Sequence, residues 1–352
     1  MDKTIKVGII GFGLAGKVFH APIIEDVAGL ELTQIYTSNH EAIKHINSTY
    51  PNVEVASSPD DIIKDEEIHL IVVATPNTTH FDYAKRSLLA GKDVVVDKPF
   101  TVTSQEADEL IEVAKSKGKL LSIHQNRRWD SDFLTVKRIL SNKLLGNLVE
   151  YEAYYHRFRN RIKVGWREEV KAGGGILYDL GSHLIDQALS LFGLPKDIFA
   201  DIRIQRENAK VDDAFEIILN YEKLKVVLKS GMLVKEPLPR FVLLGDKGSF
   251  IKYGLDPQED LLKKGEFPHG TPEWGAEDED IWGTLNTEIH DIKIRGKVES
   301  EKGDYREYYR NIYKAINGLE DLKVKAQDGR NVIRIIELAM ESSSSKRTVA
   351  FR

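Results

Sequence analysis

Three side chains in this sequence are of types that do chemistry and stand where that chemistry is costly unless used. Lys98 follows three branched apolar residues in "VVVDKPF" (Val94 to Phe100). Those residues read as a buried strand, and Pro99 biases the lysine toward extended backbone. An ammonium at the end of such a strand can stabilise negative charge developing on an oxygen. The other reading of Lys98 is a surface lysine. Asp179 and His183 lie in "GGGILYDLGSHLIDQALSLFG", with Asp186 three residues on. Spacings of i, i+4 and i+7 place all three on one face of a helix that is otherwise apolar. An acid and an imidazole in such a helix need partners. Histidine there can move a proton during a reaction. A structural Asp–His pair stays open, as does a metal site shared with His156. That spacing matches no common ligand set, so no metal is expected.

The elements that must position these groups alternate. "IKVGII" (Ile5 to Ile10) is a strand, and "GFGLAG" follows at once. Gly11, Gly13 and Gly16, with Phe12 and Leu14 among them, have the G-x-G-x-x-G spacing. The first glycine permits the turn, the second lets backbone approach a pyrophosphate, and the third lets helix and strand pack closely. The motif predicts a bound dinucleotide. "KVFHAPII" continues as a helix, with Pro22 a candidate kink. The next strand, "LELTQIYTS" (Leu30 to Ser38), ends in Tyr36, Thr37, Ser38 and Asn39. A carboxylate there would hold a ribose 2′-hydroxyl and repel a 2′-phosphate. Its absence favours NADP over NAD, with Thr37 and Ser38 as donors and Lys44 the nearest cation in sequence.

Further strands and helices follow as in a parallel, doubly wound α/β sheet. Ligands bind such sheets at the carboxyl ends of the strands. Two loops qualify. "ATPNTTH" offers Ala74, Thr75, Pro76, Asn77 and His80 as cofactor contacts or as caps of the next helix. The other carries Asp97 and Lys98. Thr103 and Glu106 form a capping box, closed at the far end of their helix by Gly118. This pattern predicts a nucleotide-binding domain over residues 1–124 and a second domain over 125–352. The second domain opens with a linking helix in "NRRWDSDFLTVKRILSNKLLG". The strand "NLVEYEAYYHRFR" follows, then a polar loop with Trp166 and Arg167.

Composition narrows the class. The chain has 352 residues, 41% hydrophobic and 30% charged, which is ordinary for a globular protein of two domains. A net charge of −5 argues against nucleic acid as a partner. With no cysteine, disulfides and thiolate sites are excluded. No signal-peptide core and no apolar run of membrane-spanning length is found, so a soluble, cytoplasmic protein is expected.

With these pieces in place the chain resembles the Gfo/Idh/MocA (glucose–fructose oxidoreductase / inositol dehydrogenase) family. "GFGLAGKVFHAP" looks like its glycine motif and "DKP" like its E-K-P motif, with Asp97 in place of glutamate. "GGGILYDLGSHLIDQALSLFG" looks like its G-G-G-x-x-x-D-x-G-x-H-x-x-D segment. The resemblance implies a Rossmann domain followed by an α+β domain on an open, mostly antiparallel sheet. "IFADIRIQR", "DAFEIILNY", "LKVVLKSGML", "RFVLLGD" and "GSFIKYG" suit that sheet, and "GDYREYYRNIYKAI" and "GRNVIRIIELAMESS" read as helices. It also implies hydride transfer between NAD(P) and a ring carbinol of a polyol or sugar. His183 would be acid/base, Lys98 would bond the reacting oxygen, and Asp179 would bind a neighbouring hydroxyl or orient the site. Tyr155, Arg157 and Trp166 are candidates for the substrate wall. "QNRRWDSDFLTVKRIL", "KGSFIKYGLDPQEDLLKKG" and "PEWGAEDEDIWGTL" look most like NADP-linked scyllo-inositol dehydrogenases. A homo-oligomer, dimer or tetramer, through the second sheet is the expected assembly. The rival reading is a non-catalytic NAD(P)-binding sensor or scaffold.

Overall fold

The computed structural model describes residues 3–162, 165 and 168–352. They divide into two compact units. The first takes the chain through Asn126 and adds Gln258–Trp274 and Asp304–Arg330. The second takes Arg127–Pro257, Gly275–Gly303 and Asn331–Arg352.

The first unit is built on six parallel strands: β1 (Ile5–Ile10), β2 (Leu30–Tyr36), β3 (Glu54–Ala56), β4 (Leu70–Val73), β5 (Asp93–Val96) and β6 (Leu121–Ile123). Their spatial order is β3-β2-β1-β4-β5-β6. Chain order reverses between β1 and β4, where a doubly wound sheet opens its ligand crevice. Both strands are fully buried over the residues they pair, Val7–Ile10 with Leu70–Val73, as a parallel sheet covered on both faces requires. The helices are α1 (Ala21–Glu25), α2 (His40–Thr49), α3 (Pro59–Lys64), α4 (His80–Leu89) and α5 (Ser104–Lys117). Both halves of the Thr103–Glu106 capping box form at α5, and Gly118 ends it in the left-handed conformation at φ 60°. Pro22 does not kink a helix. It occupies the first turn of α1, where its missing N–H costs nothing.

The later segments join this unit through α8 (Gln258–Lys264) and α9 (Arg306–Ile316). They cover an edge strand that would otherwise be open. Ser122 of β6 bonds the Tyr308 hydroxyl at 2.9 Å and donates to the Val324 carbonyl at 2.8 Å.

The second unit carries nine strands: β7 (Leu148–Tyr154), β8 (Asp197–Arg203), β9 (Ala214–Asn220), β10 (Lys225–Gly231), β11 (Phe241–Gly245), β12 (Gly248–Lys252), β13 (Gly283–Ile289), β14 (Ile292–Val298) and β15 (Val349–Ala350). The order is β14-β13-β12-β11-β7-β10-β9-β8-β15. Among these pairings only β7 with β10 is parallel. The helices are α6 (Ser131–Ser141), α7 (Ser182–Phe192) and α10 (Ala326–Ser345), whose first residues belong to the first unit. β13 and β14 form a hairpin that the sequence pattern hides. Its turn residues His290 and Asp291 both have positive φ, 49° and 63°, a role usually left to Asn-Gly.

Candidate active site

In the first unit the glycine turn has the shape its chemistry needs. Gly11 sits at φ 101°, and a Cβ there would lie 2.6 Å from the Ala74 carbonyl oxygen. A Cβ on Gly16 would lie 2.4 Å from the Gly11 oxygen. Gly13 has nothing within 4 Å of that position and is exposed, so its backbone is open to a ligand. Phe12 buries its ring against Tyr50, edge-on at 6.4 Å, and therefore offers only main chain. Leu14 is exposed. After the turn, Gly16–His20 forms one wide π turn before α1. These residues fit a pyrophosphate held by backbone.

The end of β2 is narrower in donors than its sequence implies. Asn39 caps α2, accepting from the amides of Glu41 and Ala42 at 2.9 and 3.1 Å. Thr37 Oγ1 accepts from the Asn39 amide at 3.3 Å. Ser38 is exposed. Lys44 pairs with Glu41 at 3.0 Å on the surface of α2.

In the 74–80 loop, Ala74 and Asn77 are buried, Thr75 is half-buried and Pro76 exposed. His80 corrects an expectation. Its ring is 1% exposed, with Nδ1 2.9 Å from the Pro99 carbonyl oxygen and Nε2 2.9 Å from that of Thr75. Each nitrogen faces a backbone carbonyl oxygen, and a neutral ring donates to one of them, so His80 is packed between the two loops with its ring turned away from solvent. Burial lowers its proton affinity. Lys98 is half-buried and precedes a cis peptide to Pro99. Asp97 is buried and faces His20 and His124, two residues the sequence reasoning passed over.

The second unit supplies the acid and the imidazole. The glycine run ends at Gly175, φ 88°, where a Cβ would lie 1.9 Å from Asp212 Oδ1. The Leu177 amide donates to Asp212 Oδ2 at 2.7 Å, and burial raises the Asp212 carboxyl to about 6. Leu177–Gly181, which holds Asp179, is a second π turn, and α7 begins only at Ser182. The expected continuous α-helical face is thereby corrected. A π turn is wider than an α turn, so the i, i+4, i+7 spacing does not keep three side chains in one row. Asp186 leaves the group: its two oxygens take Arg128 Nε and Nη2, each at 2.7 Å. Gln187 of the same helix donates to the Arg127 carbonyl at 2.9 Å and accepts from Arg240 at 3.0 Å. Thus α7 is locked on its far side while Asp179 stays half-buried and His183 is 4% exposed.

Tyr155 is buried, with the guanidinium carbons of Arg127, Arg157 and Arg240 at 5.1, 5.2 and 5.2 Å from its ring centre. Arg240 and Arg127 are anchored by Asp132 and Asp130. Arg157 is half-buried. Arg159, also missed in the sequence, lies in the same field. Burial and Arg157 lower its proton affinity, while Glu168 and Asp179 raise it. His156 stacks on Tyr154 at 5.4 Å, and burial lowers it to about 4. Trp166 lies outside the described residues.

Comparison with known proteins follows the same division. Residues 5–125 match the model of the Gfo/Idh/MocA oxidoreductase family's NAD-binding Rossmann fold, and residues 137–351 match that of its C-terminal alpha/beta domain. The chain is 43% identical over 346 residues to the scyllo-inositol 2-dehydrogenase (NADP(+)) IolW of Bacillus subtilis, covering 98% of this chain and 96% of that one. It is equally 43% identical to the uncharacterized oxidoreductase YdgJ of Escherichia coli, covering 99% of each. Among solved structures, the oxidoreductase YvaA of Bacillus subtilis superposes with a TM-score of 0.96 at 42% identity, over 100% of this chain and 99% of the other.

Proposed function

Because the chain belongs to the Gfo/Idh/MocA family and is an oxidoreductase with a nicotinamide-binding Rossmann domain, we propose that it is an NADP(H)-linked dehydrogenase of a cyclic polyol or sugar. The first substrate to test is scyllo-inositol, since a relative at 43% identity is named for it. The observation that carries the reaction is the second π turn, which leaves Asp179 half-buried and followed by His183 on a helix anchored elsewhere. The observation that carries the cofactor choice is a β2 end with hydroxyls and no acid.

When bound, the nicotinamide supplies the two-electron chemistry. His183 would take the hydroxyl proton as the carbinol gives up its hydride and becomes a ketone, and would return that proton in reduction. Lys98 hydrogen-bonds the reacting oxygen and stabilises charge developing there. Asp179 takes a neighbouring hydroxyl and orients the ring. Tyr155 and Arg157 form the substrate wall. Gly11, Phe12, Gly13, Leu14 and Gly16 hold the pyrophosphate through backbone, with Ala74, Thr75, Pro76 and Asn77 behind it. Thr37 and Ser38 meet the 2′-phosphate. No metal takes part in this scheme. A homo-oligomer built through the nine-stranded sheet completes the proposal.

The test is a spectrophotometric scan for NADP and NAD reduction across inositols and aldoses. Reduction of NADP by scyllo-inositol, faster than of NAD, is the expected result. Absence of reduction with every polyol and sugar, in both directions and with both cofactors, would refute the proposal.

A further inference from the structure

Asp97 replaces the glutamate usual in the motif that precedes the lysine, and its surroundings account for the shorter side chain. Its Oδ1 lies 3.4 Å from His20 Nε2 and 3.6 Å from His124 Nδ1. The two rings lie 4.2 Å apart, tilted by 43°. They are 0% and 2% exposed. His20 Nδ1 meets the Tyr309 hydroxyl at 2.6 Å, and Tyr308 closes edge-on over His124 at 4.8 Å. A carboxylate one methylene longer would have to enter the rings or turn away from them.

The charges in this pocket must balance internally, because little water reaches it. The titratable groups facing one another are Asp97, His20, His124, Tyr308 and Tyr309. Lys98 acts on His124, and Asp97 acts on His80. Burial and the neighbouring His20 push His124 down to about 4. Burial alone would raise Asp97, but His124 and His20 outweigh it and hold the carboxyl well below its usual range. The cluster therefore sets a carboxylate against a neutral His124 ring.

The same three residues could in principle hold an ion, since their ligand atoms lie within 4.8 Å of one another. Two imidazoles on a tetrahedral ion, with metal–nitrogen bonds near 2 Å, stand about 5 Å apart, centre to centre. These rings are closer than that. The geometry favours a carboxylate held directly against the two rings, with no ion between them.

The cluster grips the residue beside Lys98 from within. The Asp97 amide donates to Val73 at 2.8 Å, that of His124 to Val96 at 2.9 Å, and the carbonyl of Pro99 meets His80. Lys98 is thus bracketed by two fixed neighbours. We propose that His20, Asp97 and His124 form a buried carboxylate–imidazole clamp that positions Lys98, and that Asp97 acts through the lysine without touching the cofactor. The proposal rests on the catalytic role given to Lys98 above.

A double-mutant cycle tests it. Asp97→Asn is expected to lower kcat about tenfold or more with KM and NADPH affinity held within about threefold. Lys98→Met with Asp97→Asn should be no slower than Lys98→Met alone, because one residue works through the other. A double variant slowed by the product of the single effects overturns the proposal, as does Asp97→Asn at the wild-type rate. Lys98→Met at the wild-type rate overturns the catalytic role itself and this proposal with it. Should Asp97→Asn fail to fold, imidazole NMR of the wild type decides. His124 should stay neutral down to about pH 4, and titration above about pH 6 overturns the clamp. One equivalent of zinc should leave Tm unchanged. A rise that His20→Asn abolishes would identify an ion site and overturn the clamp.

Discussion

Each unit sets an aspartate beside a candidate catalytic side chain, Asp97 buried and Asp212 half-buried, and the two are tuned in opposite directions. Asp97 precedes Lys98 and is held ionised; Asp212 sits under the turn that carries Asp179 and is raised to about 6. Burial pushes both upward. The difference lies in the donors. Asp97 faces two imidazoles at 3.4 and 3.6 Å, and their pull on the carboxylate outweighs desolvation. Asp212 meets backbone amides, the Leu177 N–H among them, which are dipoles and cannot gain a charge. A buried acid is therefore not one thing, since its ionisation follows from who donates to it.

The largest test falls on the side chains these aspartates support. Lys98→Met and His183→Asn should fold with near-native Tm and lose about 10²–10⁴-fold in kcat/KM. If His183→Asn keeps its turnover and loses stability instead, the second unit holds a structural pair and the parallel between the units collapses.

Next comes the raised acid. Relative to an ordinary value of 3.8, a folded value of about 6 means the native state binds the extra proton. Stability therefore falls as pH rises from about 4 to 6, by about 3 kcal/mol at most. Asp212→Asn removes that cost. It should be more stable than wild type above pH ~6 and converge with it below pH ~4. Chemical denaturation across this range measures the difference, and equal stabilities at pH 8 would contradict the raised carboxyl.

The imidazole side has the opposite sign. His124 is lowered from 6.5 to about 4, so below 6.5 the unfolded chain takes up a proton that the native state refuses. Stability is lost as pH falls through that window, with a slope of at most one proton, about 1.4 kcal/mol per pH unit. His124→Asn should flatten the acid limb of the Tm profile. An unchanged limb would mean that the ring is not held neutral.

The smallest expected effect concerns the cofactor. Ser38→Asp should repel a 2′-phosphate and move preference from NADP toward NAD by about 1.5–3 kcal/mol, or roughly ten- to a hundredfold in relative affinity. Titration of both cofactors by fluorescence checks it, and an unaltered ratio removes Ser38 from the cofactor site.

Much of the first sheet was legible in the sequence because its signals are local. A short apolar run, a glycine spacing, a capping box at Thr103 and a closing glycine at Gly118 each act within a few residues. Gly11 is a clear example, since the same residue that marks the motif is required by φ 101° and by the nearness of Ala74. The His290–Asp291 turn was not legible, because positive φ at two such residues follows from the pairing of β13 with β14 and leaves no Asn-Gly mark.

At the site, sequence alone determined the types of the chemical groups and their order along the chain: a lysine after β5, an acid and an imidazole after a glycine run. What those groups touch was decided by tertiary structure. His80 was set against two carbonyls, Asp186 against Arg128, and Asp97 against histidines 77 residues before and 27 after it. The wide turn at Leu177–Gly181 reset the helical phase on which the one-face argument relied. Charge and hydrogen-bond partners are set by distance in space, and no local pattern encodes which residues a fold will bring within 4 Å.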